Sequence, residues 1–231
     1  MTGPPESVIL YTVNVSHKRF AFGKTAHFDK DSAMPRILSQ SDVADFRERL
    51  CVAATRMFDA RGPEGFTMRE LAAELGVSAM TPYRYFKDKE DILAAVRARA
   101  FNRFADALEG ALAQIGHDDE AIYRAYVTFA FGEPAAYKLM FDLSQPDENL
   151  YPDLVRANAR ARATMTEYVK LMIDAGKFVG DAGLIGHVFW AVLHGTIVLK
   201  LAGKLTPEYD FNRISDEASR VVSDAYRPKR A

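Results

Sequence analysis

An all-α fold is predicted by three observations on this 231-residue sequence. Apolar residues recur at three- and four-residue spacing over long stretches, the mark of helices with one buried stripe. No stretch keeps the sustained alternation of a half-buried strand. The helical runs are punctuated by Gly, Pro and Asp at positions where helices start or stop. Hydrophobic residues make up 48% of the chain, which predicts a folded core and excludes a wholly disordered protein.

Residues 1–40 are poorly patterned. Val8 to Val13 has the composition of a short strand but no partner, and Lys18, Arg19, Lys24, Lys30 and Arg36 make the segment mildly basic. It is read as a flexible extension. The first helix is expected over 42–60, with Val43, Phe46, Leu50, Ala54, Met57 and Phe58 on one face. Arg61-Gly62-Pro63-Glu64-Gly65 then ends it with turn chemistry. Cys51, the single cysteine, lies among apolar residues of that helix. It rules out an intramolecular disulfide, fits a reducing cytoplasm and reads as a buried structural thiol.

Thr67-Met68-Arg69-Glu70 has the pattern of a capping box, opening a second helix through Met68, Leu71, Ala72 and Leu75. Gly76 stands where that helix must stop in the left-handed conformation. Ser78 is placed to cap a further helix running through Tyr83 to Phe86, with Pro82 tolerated in its first turn. Two short helices around a Gly turn form a helix-turn-helix, whose second member can enter the DNA major groove. Asp88 is read as the cap of a long helix from Lys89 to Ile115, with Ile92, Leu93, Val96, Ala100, Phe104, Leu108 and Leu112 along its buried stripe.

The remaining elements follow the same logic. Helices are expected over 119–132, over 135–141 and, after a Pro- and Asp-rich loop at 144–152, over 153–175. One spanning 181–203 is apolar nearly all round, so it must be covered on several sides or by a second chain. A last helix is expected over 211–226. No uncharged apolar run long enough to span a bilayer is read, and no signal peptide, so no membrane partner is expected and the protein is placed in the cytoplasm.

The formal net charge is −1, which argues against a non-specific coat on nucleic acid. Across residues 41–90, eight Lys and Arg are outnumbered by nine Asp and Glu, so DNA binding there depends on the placement of a few cations. Enzyme signatures are absent: there is no His-Glu-x-x-His, no Gly-rich phosphate loop and no Gly-x-Ser-x-Gly elbow. The five histidines are scattered without carboxylate or thiol partners, so neither a metal site nor a cofactor is expected.

The run from Phe46 to Val96 resembles the N-terminal domain of the TetR family of transcriptional regulators. The matching residues are Ala53-Ala54, Phe58, Gly65-Phe66-Thr67, Leu71-Ala72, Gly76-Val77-Ser78, Tyr83-Arg84-Tyr85-Phe86 and Lys87 to Leu93. Trp190-Ala191-Val192-Leu193-His194-Gly195 is similar to the Trp-x-x-x-His-Gly signature of one subgroup, and Phe129 to Phe141 looks like the segment before its dimer helices. The resemblance implies about nine helices. It divides the chain into an extension (1–40), a three-helix DNA-binding domain (41–88) and a ligand-binding and dimerisation domain (89–227).

By the same resemblance Thr67, Ser78, Tyr83 and Lys89 bind phosphates, while Ala79, Met80, Thr81 and Arg84 face base edges. Pro82 stands where an aliphatic residue is usual in the family, and Met80 where it often has Gly. Partners implied are double-stranded operator DNA with a pseudo-palindrome, a second copy of the chain, and a small hydrophobic or aromatic effector. Tyr126, Phe129, Tyr137, Met140, Met165, Tyr168, Met172, Trp190 and His194, with Phe189, form stripes that could line the effector pocket. Such stripes are also what an ordinary core looks like, and His194 could equally be bonded to a neighbouring helix, with Gly195 allowing close packing. A helical binding protein or enzyme with a vestigial helix-turn-helix is the alternative.

Overall fold

The computed structural model describes residues 39–62, 65–114, 120–142 and 147–229. The expectations for residues 1–38, for the turn at 116–119 and for the loop through 146 lie outside these. Contact density divides the chain into Met1–Glu48 and Arg49–Ala231. In the first unit, Ser39 and Asp42 close the start of the first helix: the Ser39 hydroxyl accepts the Asp42 N–H (3.1 Å), and Asp42 Oδ2 accepts the Ser39 N–H (2.9 Å).

Eight α-helices and two short 3-10 helices are present among the described residues, without strands. The α-helices are α1 (Gln40–Arg61), α2 (Met68–Glu74), α3 (Lys89–Leu112), α4 (Ala121–Gly132), α5 (Pro134–Met140), α6 (Pro152–Asp174), α7 (Ala182–Leu201) and α8 (Phe211–Tyr226). The starts follow from capping aspartates. Asp88, Asp181 and Asp210 accept the N–H groups of Asp91 (2.9 Å), Leu184 (2.6 Å) and Arg213 (2.9 Å), each satisfying a donor the helix cannot. Pro134 and Pro152 occupy first positions, where their missing N–H costs nothing. Helix α6 ends at Gly176, whose φ of +69° is open to Gly without strain.

Helix α3 is the spine of the second unit. It packs chiefly against α6, then against α4 and α5; α6 packs on α7, and α7 on α8. Phe101, Phe104, Leu108, Tyr126, Phe129 and Leu154 are among the residues of the main core. Phe104 meets the Tyr126 ring edge-on at 4.8 Å and lies 5.0 Å from Phe129, arrangements that suit the ring quadrupoles. On α1, burial begins at Leu50 and includes Cys51.

Three expectations are corrected here. Residues 78–86 do not form a second α-helix; they form turns and the 3-10 helix Pro82–Arg84. Pro82 has no N–H to return to the Ser78 carbonyl, which instead accepts the Thr81 N–H at 2.9 Å, so the chain winds at three residues per turn. Helix α7 is long and apolar enough to cross a membrane, contrary to the expectation of no such run. Its 18 residues from Ala182 to Leu199 carry no Asp, Glu, Lys or Arg, while His187, His194 and scattered glycines mask the run in the sequence. Gly195 does not sit at a close helix crossing; a Cβ there would meet nothing, whereas one on Gly186 would lie 3.3 Å from the Met165 carbonyl oxygen. The close approach of α6 and α7 therefore falls at Gly186.

Candidate nucleic-acid interface and effector cavity

The capping box of α2 forms as its sequence predicts. Thr67 Oγ1 accepts the Glu70 N–H at 3.2 Å, and Glu70 Oε2 accepts the Thr67 N–H at 2.8 Å. The Thr67 hydroxyl also donates to Glu70 Oε2 (3.0 Å), which, with help from Arg61, holds the Glu70 carboxyl below its usual range. At the other end Gly76 takes a φ of +67°, and the Val77 and Gly76 N–H groups reach the Ala72 and Ala73 carbonyls, each at 3.0 Å. That pair of bonds is the Schellman closure.

The chain then turns through residues 78–86. Pro82 and Phe86 point inward and are buried, while Ser78, Ala79, Met80, Tyr83 and Arg84 are exposed. Thr81 is half-buried, its hydroxyl 2.9 Å from that of Ser78. Lys89, in the first turn of α3, is half-buried with its Nζ 5.3 Å from the centroid of the Phe66 ring. The Thr67 hydroxyl is committed to Glu70 yet exposed. Met80 is 67% exposed and Tyr83 48% exposed. The geometry offers a short projecting turn packed against α2.

The nine residues proposed from sequence for the effector pocket part into three groups. Phe129, Tyr137, Met140 and His194 line neither of two cavities and belong to the interior. Tyr137 sits at the centre of a relay in which its hydroxyl is 3.0 Å from the Tyr126 hydroxyl and 2.7 Å from His194 Nδ1. Burial pushes both tyrosine hydroxyls well above their ordinary pKa and pushes His194 below its own, each shift favouring the neutral ring. Trp190 and His194, four residues apart on α7, both lie against Phe141, at 6.0 and 4.5 Å between ring centroids. The Trp-x-x-x-His spacing thus places two rings on one helical face against the end of α5.

Tyr126 and Trp190, with Met165, line a cleft between α3, α4, α6 and α7 that encloses only about 30 Å³. Met165, Tyr168 and Met172 line a much larger cavity, about 800 Å³, between α4, α6, α7 and α8. The second volume lies in the ~300–1,000 Å³ range of small-molecule sites, and the first does not. Residues of this cavity that the pocket assignment missed include Tyr123, Phe178, Ser215, Ser219 and Ser223. The serines recur every four residues along α8, a pattern visible in the sequence once one asks which polar groups share a face. Phe189, read in the stripes, also lines it.

Comparison with known proteins matches two stretches of the chain. Residues 50–96 match the model of bacterial regulatory proteins of the tetR family, and residues 119–222 match that of the tetracyclin repressor-like C-terminal domain. The chain belongs to the TetR family of transcriptional regulators. This TetR-family chain is 24% identical over 159 residues to an uncharacterized HTH-type transcriptional regulator of Mycobacterium tuberculosis, covering 68% of this chain and 71% of that protein. It is 38% identical over 65 residues to an HTH-type transcriptional regulator of Staphylococcus aureus strain bovine RF122 / ET3-1, a match spanning 28% of this chain and 35% of that relative's length. Among solved structures, a protein of unknown function from Rhodococcus sp. RHA1 superposes with a TM-score of 0.69 at 26% identity, covering 79% of this chain and 95% of that one. SmeT, the repressor of the Stenotrophomonas maltophilia multidrug efflux pump SmeDEF, shares the fold with a TM-score of 0.55 at 21% identity over 78% of this chain and 89% of its own.

Proposed function

We propose that this TetR-family regulator is a homodimeric repressor that binds a pseudo-palindromic operator and is released by a small apolar or aromatic effector. In this reading residues 41–88 are the DNA reader and residues 89–227 hold the effector and the dimer interface. The observation that carries the DNA half is the exposed turn of Ser78, Ala79, Met80, Tyr83 and Arg84 beside the capped start of α2. Tyr83, with Thr67, Ser78 and Lys89, binds phosphates. Ala79, Met80, Thr81 and Arg84 face the groove, where Met80 meets thymine methyl groups and Arg84 donates to guanine.

The dimer half rests on exposed apolar residues of the last two helices. Leu184, Val198 and Leu199 on α7 and Val221 on α8 are all exposed, and together they form a patch that a second copy would cover. Gly195, open on α7, lets the partner helix approach closely. Release follows if the effector prefers the state whose two readers no longer fit successive major grooves. A cytoplasmic location accompanies this function.

The test is fluorescence anisotropy of the protein with DNA upstream of its own gene, across a salt series, beside Tyr83→Ala. Saturable binding with a linear log-salt slope, lost in the variant, supports the reading. No specific binding there, together with an empty genome-wide fragment selection, overturns it in favour of a helical binding protein whose reader is vestigial; the near-neutral charge of residues 41–90 would then be its explanation.

A further inference from the structure

The large cavity has a chemistry that narrows its ligand. One wall is apolar and soft: Tyr168 and Met172 of α6, Leu193 of α7, and the Phe178 and Phe189 rings, which lie 5.8 Å apart and tilted by only 31°. The facing wall is a row of hydroxyls on α8. Ser215, Ser219 and Ser223 stand at i, i+4 and i+8, so their oxygens recur about every 6 Å along roughly 12 Å of helix. Ser215 is engaged with the Tyr123 hydroxyl at 2.9 Å. Ser219 and Ser223 are half-buried and make no side-chain hydrogen bond among the described residues.

Charge at the rim is balanced. Glu120 is paired with Arg124 at 3.6 Å and Arg227 with Asp224 at 2.9 Å, while Asp216 and Lys177 carry opposite charges. Such a mouth favours neither an anion nor a cation. The Val179 N–H donates to the Tyr226 carbonyl at 2.8 Å, tying the end of α8 to the turn after α6.

We propose that this cavity binds a neutral, elongated aromatic molecule carrying hydroxyl or carbonyl oxygens along one edge, a polyphenol or an oxygenated polycycle. The aromatic body stacks on Phe178, Phe189 and Tyr168, with the methionine side chains adapting to its outline. Its oxygens exchange hydrogen bonds with Ser219 and Ser223, whose hydroxyls both donate and accept. The proposal rests on the effector reading above only for its consequence at DNA.

The test uses three probes of one shape: trans-resveratrol, which carries hydroxyls at both ends; trans-stilbene, which carries none; and trans-stilbene-4,4′-dicarboxylate. Binding to the full-length protein is read as quenching of its single tryptophan, Trp190, by energy transfer to the stilbene chromophore. Resveratrol is expected to bind at one per chain, tighter than stilbene by about three- to tenfold for each hydrogen bond gained. The Ser219→Ala/Ser223→Ala variant disturbs no bond of the fold and is expected to erase that preference while leaving stilbene affinity unchanged. Equal affinities for resveratrol and stilbene, a preference that survives in the variant, or tighter binding of the dicarboxylate would each overturn the proposal. Failure of both neutral probes to bind would also overturn it and mean that the cavity is filled by the partner copy or by another part of the chain. Resveratrol that binds but leaves an operator complex intact would refute the effector reading and leave the ligand assignment standing.

Discussion

Replacing Glu148 by Ala strands a buried charge on α3. Arg97 lies on α3 and is 2% exposed, with Nη2 donating to Glu148 Oε1 at 3.0 Å. Its Nε and Nη1 are buried without a partner among the described residues. Burial, the largest influence, draws the guanidinium pKa down, and Glu148 is what chiefly holds it up. Breaking a fully buried pair costs about 3–5 kcal/mol. Glu148 is itself 35% exposed, and Asp142 also acts on Arg97, so the cost falls toward the ~1.5–3 kcal/mol of a hydrogen bond to a charged group. A loss of about 2 kcal/mol follows, or a melting midpoint lower by about 4–8 °C for a chain of this size. Urea denaturation at neutral pH measures it, beside Arg156→Ala, which removes an exposed pair with Asp153 worth less than about 1 kcal/mol. The double variant Arg97→Met/Glu148→Leu should recover most of the loss, because replacing both members leaves no orphaned charge. A Glu148→Ala cost no larger than that of Arg156→Ala would refute the argument, and so would a double variant as unstable as the single one.

Three further outcomes follow from the same geometry. Gly186→Ala should destabilise by about 1–2 kcal/mol, because a Cβ 3.3 Å from the Met165 carbonyl oxygen crowds backbone and outweighs the gain in helix propensity; Gly110→Ala, which meets nothing, should stabilise by up to about 1 kcal/mol, and denaturant midpoints in the opposite order would place the α6–α7 crossing elsewhere. His194 is held below its ordinary pKa by burial, so the unfolded chain takes up a proton first as pH falls; stability should be full above about pH 6.5, decline below it, and decline less in His194→Gln, as thermal scans between pH 7.5 and 5 would record. Leu184→Glu, on the exposed face of α7, should weaken the proposed dimer in sedimentation velocity while leaving helical content intact; a dimer of unchanged strength would move the interface off that face.

Much of the fold was legible in the chain because it is written in local terms. Thr67 and Glu70 three residues apart, Gly76 after an apolar run, and Asp88 and Asp181 before others fix helix ends through backbone groups a few residues away, and the structure keeps each of them. The family was legible too, through the resemblance that the spacing carries. The form of the segment after Ser78 was not. A single absent N–H at Pro82 tips a marginal helix into 3-10 winding, and sequence alone weighs that loss too lightly.

The sequence by itself determined an all-α chain, most of its helix starts and its membership of a family of DNA-binding regulators. It could not say which aromatic and methionine side chains were core and which lined a cavity, since both uses ask for the same residues at the same helical spacing. Tyr137 and Met140 went to the interior, Tyr168 and Met172 to the cavity. Nor could it show that Arg97 is buried against Glu148, fifty-one residues on, or that Gly186 rather than Gly195 marks the close crossing. Those outcomes depend on which faces of α3, α6, α7 and α8 meet. Such pairings join residues far apart in the chain, and only the packed helices decide them.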